Sequence, residues 1–137
     1  MFSFLENIFS IFKKKIIYIN SEVECYSLIK SLKKEKIIGI DTEFDWRTTY
    51  FPKLCLIQIS TKKEIYLIDS LAINNFEELK KIFEDKSILK IFHAVRSDST
   101  VLSKCLNINL QNVFDVQQAE KFLTEGEIFS YSHIVKK

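Results

Sequence analysis

Apolar and polar positions alternate along the chain in two patterns, one typical of strands and one typical of amphipathic helices. Short runs rich in β-branched and aromatic residues predict strands. Apolar residues at every third or fourth position predict helices, as does the capping box from Ser21 to Glu24. The predicted strands cover residues 15–19, 37–44, 54–60, 64–69, 88–93 and 112–114. The predicted helices cover residues 22–32, 97–106 and 116–123, and a further one begins at Ser130. One more helix is predicted after a cap at Asn74 or Asn75, and it carries Phe76, Leu79, Ile82 and Phe83.

The order of these elements predicts an α/β fold. Strands joined by short turns come first, among them a hairpin closed by residues 61–63, and strand–helix alternation follows. Strands of a hairpin pair antiparallel, whereas a strand–helix–strand unit pairs its strands in parallel. We therefore expect a mixed β-sheet flanked by helices on both faces, with a functional site at the carboxyl ends of its strands.

The composition indicates one soluble globular domain. The chain has 137 residues, of which 47% are hydrophobic and 28% are charged, with only 2 Gly and 1 Pro. Disordered chains contain fewer apolar residues and more net charge. The net charge of +2 is too small for a protein that coats nucleic acid, but it does not exclude a nuclease, whose site must be acidic to hold metal.

Cysteine usage and the lack of a long apolar run favour a cytoplasmic location. Cys25, Cys55 and Cys105 are far apart and have apolar neighbours, so we expect them in the core rather than in disulfides or a zinc site. No run reaches the roughly 18 apolar residues of a membrane span. Residues 1–15 form a Phe-rich segment that ends in three lysines. We expect an amphipathic helix packed on the domain there; the alternative is a helix that binds a membrane surface or a partner.

Two carboxylates close the second predicted strand. Because side chains alternate along a strand, Asp41 and Glu43 share one face and Thr42 points to the other. The two carboxylates repel each other unless a cation lies between them or water surrounds them. Mg²⁺ or Mn²⁺ would suit such hard oxygen ligands. Taken alone, however, the pair is more often a solvated strand end than a metal site.

A further acid follows the strand that ends at His93. Asp98 begins the next predicted helix, and in a strand–turn–helix unit it would point over the same sheet edge as the first two acids. An Asp in the first turn of a helix is also favoured by the helix dipole, so its position alone does not indicate function. We expect His93 to orient the turn rather than to bind metal.

Together, these segments resemble the ribonuclease D-type 3′–5′ exonucleases. The resemblance covers about residues 16–137. The similar segments are 40–44 (I-D-T-E-F) with 49–59 (T-Y-F-P-K-L-C-L-I-Q-I) for the first motif, 93–98 (H-A-V-R-S-D) for the second, 112–117 (N-V-F-D-V-Q) for an F-D-T-Q-like stretch, and 130–135 (S-Y-S-H-I-V) for the helix that comes next.

The resemblance implies a ribonuclease H-like fold and two-metal hydrolysis of phosphodiester bonds in single-stranded nucleic acid, with RNA 3′ ends as the expected substrate. By motif, Asp41, Glu43 and Asp98 would be catalytic and would hold two Mg²⁺ or Mn²⁺ ions. The implied substrate-binding residues are Thr42, Phe44, His93 and Arg96, with Arg47 and Lys53 as further candidate phosphate contacts.

The third motif of this family is not found in the 137 residues. It consists of a Tyr followed four residues later by an Asp, and it supplies the fourth metal-binding acid and a group that orients water. Tyr131 and Asp115 cannot take its place, since both match other family positions. We therefore expect an exonuclease domain over residues 16–137 that is incomplete at its C-terminus. The alternatives are a catalytically feeble nucleic-acid-binding or interaction module of the same fold, and a generic α/β binding domain.

Overall fold

A computed structural model describes residues 14–47, 50–128 and 130–134 of the chain. The amphipathic helix predicted within residues 1–15 therefore lies almost entirely outside the described residues. Within them, the strands are β1 (Lys15–Ile19), β2 (Ile37–Asp45), β3 (Lys53–Ser60), β4 (Glu64–Asp69), β5 (Leu89–Phe92) and β6 (Val113–Asp115), and the helices are α1 (Glu22–Leu32), α2 (Glu77–Glu84), α3 (Arg96–Leu106), α4 (Val116–Leu123) and α5 (Tyr131–Ile134).

The six strands form one sheet in the order β1-β4-β3-β2-β5-β6. Strands β2, β3 and β4 pair antiparallel, because short connections join them along the chain. The other three pairs, β1 with β4, β2 with β5, and β5 with β6, are parallel, because longer connections join those strands. The predicted mixed sheet is confirmed.

Helix α1 begins at the predicted capping box. The Ser21 side chain accepts a hydrogen bond from the Glu24 backbone N–H at 3.4 Å, and the Glu24 carboxylate accepts one from the Asn20 N–H at 3.1 Å. Helix α2 has Phe76 as its N-cap, one or two residues after the predicted cap at Asn75 or Asn74, and the Asn75 side chain accepts from the Glu77 N–H at 3.0 Å. Both helices thus start where a side-chain oxygen satisfies a free N–H group.

The sheet has two unlike faces. On the covered face, apolar side chains of β2, β3 and β4 pack against helices α1, α2 and α3 in the hydrophobic core. The opposite face, here called the open face, includes Ile16, Tyr18 and Ile37, which are 64%, 52% and 52% exposed. A cavity of about 670 Å³ lies on the open face, and α4 and α5 contribute Val116 and Tyr131 to its lining.

The cysteine prediction is only partly right. Cys25 is buried in the core and Cys55 is partly buried, but Cys105 is exposed. Helical spacing from Val101 predicts a buried position for Cys105. That residue nevertheless lies in the last turn of α3, where its thiol donates to the Pro52 carbonyl oxygen at 3.0 Å instead of entering the core. In the described part of the chain, no helix is long and apolar enough to cross a membrane.

Candidate active site

Asp41 and Glu43 lie near the carboxyl end of β2, on the open face. Both side chains are exposed, whereas Thr42 between them is buried on the covered face, so the predicted alternation is present. Asp41 lies opposite Gln58 of β3, whose Nε2 donates to Asp41 Oδ2 at 3.2 Å. The neighbouring strand thus orients the first carboxylate and leaves it accessible to water.

Asp98 approaches the same strand from the covered side. It lies in the first turn of α3, and its side chain is only 6% exposed. Its Oδ1 accepts two hydrogen bonds from Thr42, one from the backbone N–H at 3.0 Å and one from the hydroxyl at 2.6 Å. Burial raises the pKa of Asp98, and the charge of Asp41 raises it further, while the bonds from Thr42 lower it.

The three carboxylates do not form one cluster. Asp41 and Glu43 point from the open face, whereas Asp98 is bound beneath the strand by Thr42. Among the described residues, no group of three or more His, Cys, Asp or Glu side chains is arranged to hold a metal ion. The effect of Asp41 on the pKa of Asp98 nevertheless shows that the two acids lie within electrostatic range of each other.

The donor set still suits a hard divalent cation. All three candidate ligands are carboxylates, and in the described part of the chain none of them forms a salt bridge with Lys or Arg. Mg²⁺ is usually held by one or two carboxylates together with several waters. A cation beside Asp41 would also offset the repulsion that it exerts on Asp98. The chemistry of these donors therefore fits a weakly held Mg²⁺ or Mn²⁺, although in the described residues they do not converge on one point.

The turn that leads into α3 is held by a residue whose role sequence reasoning missed. Asp115 accepts hydrogen bonds from the backbone N–H groups of Ala94 and Val95 at 2.9 and 3.0 Å. It also accepts from the Gln117 N–H at 2.9 Å, and so caps α4. An Asp directly before a predicted helix is a signal for an N-cap, and that signal was available in the sequence.

Two predicted substrate-binding residues, Thr42 and Phe44, lie on β2. The Thr42 hydroxyl is buried and donates to Asp98, so it acts inside the protein. Phe44 is partly buried and makes an edge-to-face contact with the exposed Trp46, with ring centroids 5.5 Å apart. Phe44 also packs against the hydrophobic core, whereas Trp46 is 56% exposed and supplies the accessible part of this pair.

Lys53 is exposed at the start of β3, and the other candidate contacts lie on loops or at a helix start. The His93 ring makes an edge contact with Tyr131 at 5.5 Å, and its Nε2 is buried without a hydrogen-bond partner among the described residues. Arg96 is exposed at the first residue of α3. Arg47 is exposed and forms an ion pair with Asp45 at 3.0 Å, which lowers the pKa of that carboxyl to about 2.

Comparison with known proteins identifies the family. The sequence matches the family model described as 3′–5′ exonuclease over residues 16–137. The chain belongs to this family. Ribonuclease D of Desulfotalea psychrophila is 33% identical over 120 residues, which cover 87% of this chain and 32% of that protein. The exosome complex exonuclease RRP6 of Saccharomyces cerevisiae is 33% identical over 106 residues, which cover 77% of this chain and 14% of RRP6.

A solved structure of the family shows the same fold. RNase D of Escherichia coli, described as an exoribonuclease involved in structured RNA processing, matches with a TM-score of 0.83 and 30% identity. The match covers 89% of this chain and 32% of that one. The ribonuclease H-like fold implied by the sequence motifs is thereby confirmed. The chain spans about a third of the length of the ribonuclease D relatives that it matches.

Proposed function

We propose that this chain carries the nucleolytic site of a ribonuclease D-type 3′–5′ exonuclease that acts on the 3′ ends of single-stranded RNA. One observation carries the proposal: within this family's fold, Asp98 is bonded to the strand that presents Asp41 and Glu43 to solvent. The relatives named ribonuclease D and RRP6 support RNA as the substrate class.

Asp41, Glu43 and Asp98 would hold two Mg²⁺ or Mn²⁺ ions. Bound divalent ions would supply the Lewis acidity that activates water and stabilises the departing 3′ oxygen. The chain itself contributes the negative charge that attracts the ions, from two exposed carboxylates and one buried carboxylate. Gln58 orients Asp41, and Thr42 keeps Asp98 directed towards the strand.

The substrate would be bound by groups around these acids. The exposed guanidinium group of Arg96 is available to the phosphates of the RNA backbone, whereas Arg47 would have to exchange its ion pair with Asp45 for a phosphate. Phe44 with Trp46 offers an aromatic surface on which the terminal base can stack, since every base has a face suited to stacking. His93 and Asp41 line the same cavity, so His93 would lie on the same side of the site as Asp41.

The catalytic set within these residues is incomplete. No Tyr-x-x-x-Asp motif occurs in the sequence, so the fourth acid and the water-orienting Tyr of the family are not supplied by residues 1–137. Residues that act as one catalytic unit are strongly non-additive, so a site without two of them loses almost all of its rate. The free thiols of Cys25, Cys55 and Cys105 are compatible with a reducing, cytoplasmic setting.

The decisive experiment measures the trimming of a single-stranded RNA. The 137-residue chain, supplied with Mg²⁺ or Mn²⁺, is expected to trim it barely above background. Fusion to the Tyr-x-x-x-Asp segment of Escherichia coli RNase D should restore stepwise release of mononucleotides from the 3′ end. In the fusion, Asp41→Asn, Glu43→Gln and Asp98→Asn should each abolish the activity.

A matched control is Glu77→Gln, which neutralises an exposed acid on α2, and it should leave trimming by the fusion unchanged. Fast trimming by the unextended chain would show that the third motif is not needed. Trimming by the fusion that persists in Asp98→Asn would show that Asp98 is not the third acid.

Metal binding can be tested without activity. Calorimetric titration with Mn²⁺ should detect weak binding to the wild-type chain, and binding should be lost in Asp41→Asn, because Asp41 shares a strand face with Glu43 and interacts electrostatically with Asp98. Equal heats for the two proteins would contradict the assignment of the metal site.

A further inference from the structure

Asp115 connects two turns that meet beside the candidate active site. We propose that Asp115 is a positioning residue that keeps Asp98 in place by fixing the turn at residues 93–95. Its functional meaning rests on the proposed exonuclease activity, in which Asp98 is the third acid. The contact itself is a property of the fold and can be measured without any activity.

The Asp115 carboxylate accepts four backbone hydrogen bonds. Oδ1 accepts from the N–H groups of Ala94 at 2.9 Å, Gln117 at 2.9 Å and Gln118 at 3.4 Å. Oδ2 accepts from Val95 at 3.0 Å. One side chain therefore caps the start of α4 and also binds the turn before α3. Hydrogen bonds to a carboxylate are stronger than those between neutral groups, so Asp115 links the turn strongly to the start of α4.

The turn before α3 needs such a support. Ala94 has a φ of 60°, in the left-handed region that an alanine side chain disfavours. Val95, the N-cap residue of α3, makes no side-chain capping bond. The local sequence thus supplies neither a glycine for the left-handed position nor a polar cap for the helix. From another part of the chain, Asp115 binds the N–H groups of Ala94 and Val95 and so fixes the backbone directly before α3.

The position of Asp115 is itself fixed by the sheet. It is the last residue of β6 and pairs with Phe92, the last residue of β5, in the parallel register. Ala94 and Val95, the second and third residues after Phe92, are therefore brought next to the carboxylate. Because the pairing of β5 with β6 sets this register, Asp115 holds the turn relative to the sheet rather than relative to α3 alone.

The turn determines where Asp98 lies. Asp98 is the third residue of α3, which begins directly after Val95. A helix moves as a rigid unit over its first turns, so a shift of the turn moves the Asp98 carboxylate relative to β2. That carboxylate accepts the Thr42 N–H at 3.0 Å, and the protection of this one amide against hydrogen exchange therefore reports where Asp98 is.

The test is amide hydrogen exchange measured by NMR on the 137-residue chain and its Asp115→Asn variant. Asn retains one acceptor oxygen but places an NH₂ group where the second oxygen stood, so the bond from the Val95 N–H is lost. We expect exchange of the Thr42 amide to become faster by about tenfold, while amides of the β3–β4 pair keep their wild-type rates. Asp85→Asn is the matched control, since Asp85 binds the Ser87 N–H of a different turn, and it should leave Thr42 unchanged.

The double variant Asp115→Asn with Ala94→Gly separates positioning from general stability. Glycine adopts a positive φ without steric penalty, so it should recover most of the protection of Thr42. The double variant also provides the measurement should the single variant fail to fold. Fast exchange of Thr42 in the double variant, or an unchanged Thr42 amide in folded Asp115→Asn, would overturn the proposal, and so would an equal loss of protection at all amides. Loss of RNA trimming by the fusion protein would not affect this readout, so the two proposals fail separately.

Discussion

The covered and open faces of the sheet are built from the same strands but serve opposite needs. Ile38 and Ile37 are neighbours in β2, yet the first is fully buried under the helices and the second is 52% exposed. Four residues after Ile37, the open face of β2 changes from apolar residues to Asp41 and then Glu43. The covered face stabilises the fold by removing apolar surface from water, while the open face keeps carboxylates where water or a cation can reach them.

Asp98 is the exception that joins the two faces. It is a carboxylate on the covered side, and burial raises its pKa from the ordinary value. Its two hydrogen bonds from Thr42 offset part of the cost of burial. Asp98 shows that a carboxylate is tolerated on the covered side where the neighbouring strand supplies hydrogen-bond donors.

The largest expected difference between the two faces is in the free energy of unfolding, and it compares the same substitution at two neighbouring isoleucines. Ile38→Ala leaves a cavity under the helices and should lower the free energy of unfolding by about 2–5 kcal/mol. Ile37→Ala, on the open face, should lower it by less than about 1 kcal/mol. Urea unfolding of both variants measures the difference, and equal losses would show that the open face is as well packed as the covered one.

The next effect concerns the bonds between Asp98 and Thr42. Asp98→Ala leaves a buried N–H and hydroxyl of Thr42 without their acceptor, which should destabilise the fold by about 1–3 kcal/mol. Asp69→Ala, at the exposed end of β4, is the comparison, because its partners can bind water instead. Equal losses of stability in the two variants would show that the buried hydrogen bonds of Asp98 contribute no more than the exposed ones of Asp69.

A smaller effect of opposite sign is expected for Asp98→Asn, which keeps an acceptor for Thr42 and removes the charge. The pKa of Asp98 is higher in the folded than in the unfolded chain, so the ionised carboxylate opposes folding at neutral pH. The variant should therefore be more stable than wild type at pH 7, by about 1 kcal/mol.

The pH dependence supplies the control for this prediction. As the pH falls through the folded-state pKa, wild-type Asp98 is protonated and the penalty disappears. The advantage of Asp98→Asn should thus shrink as the pH approaches about 4, the ordinary value for Asp. Thermal unfolding across this range measures it, and an advantage that stays constant with pH would exclude the buried charge as its cause.

The smallest expected effect on stability comes from removing exposed apolar side chains of the open face, which should clearly reduce its accessible apolar surface. Ile16→Ser combined with Ile37→Ser should reduce the fluorescence of a hydrophobic dye, and any self-association seen in light scattering, because both residues are exposed on the open face. The free energy of unfolding should change by less than about 1 kcal/mol. Unchanged dye binding would locate the accessible apolar surface elsewhere, for example on α4, where Phe122 is 88% exposed.

Elements with strong local signals were predictable from the sequence. The observed bounds of α1 and α4, Glu22–Leu32 and Val116–Leu123, are the predicted ones. A capping residue precedes each of these helices, so the local chain carries the information. The alternation of Asp41, Thr42 and Glu43 followed in the same way from the period of a strand.

Features that depend on contacts between distant segments were not predictable. The sequence placed Asp98 over the sheet edge shared by the other acids, but only the packing of α3 shows that it binds Thr42 on the covered side. The loop before α2 is likewise held from a distance, since Glu22 of α1 accepts the backbone N–H groups of Asn74 and Asn75. The bonds of Asp115 to a turn some 20 residues away have the same long-range character.

The strand order determines which strands can pair first during folding. Strands β2, β3 and β4 follow one another and can pair soon after synthesis, since short connections cost little entropy to close. Strand β1 precedes them in the chain, but among the described residues it pairs only with β4. It must therefore wait, unpaired, until β4 has been made. We expect the β2–β3–β4 meander to form early and β1 to join late, so that slow translation between β1 and β4 would prolong the exposure of an aggregation-prone strand.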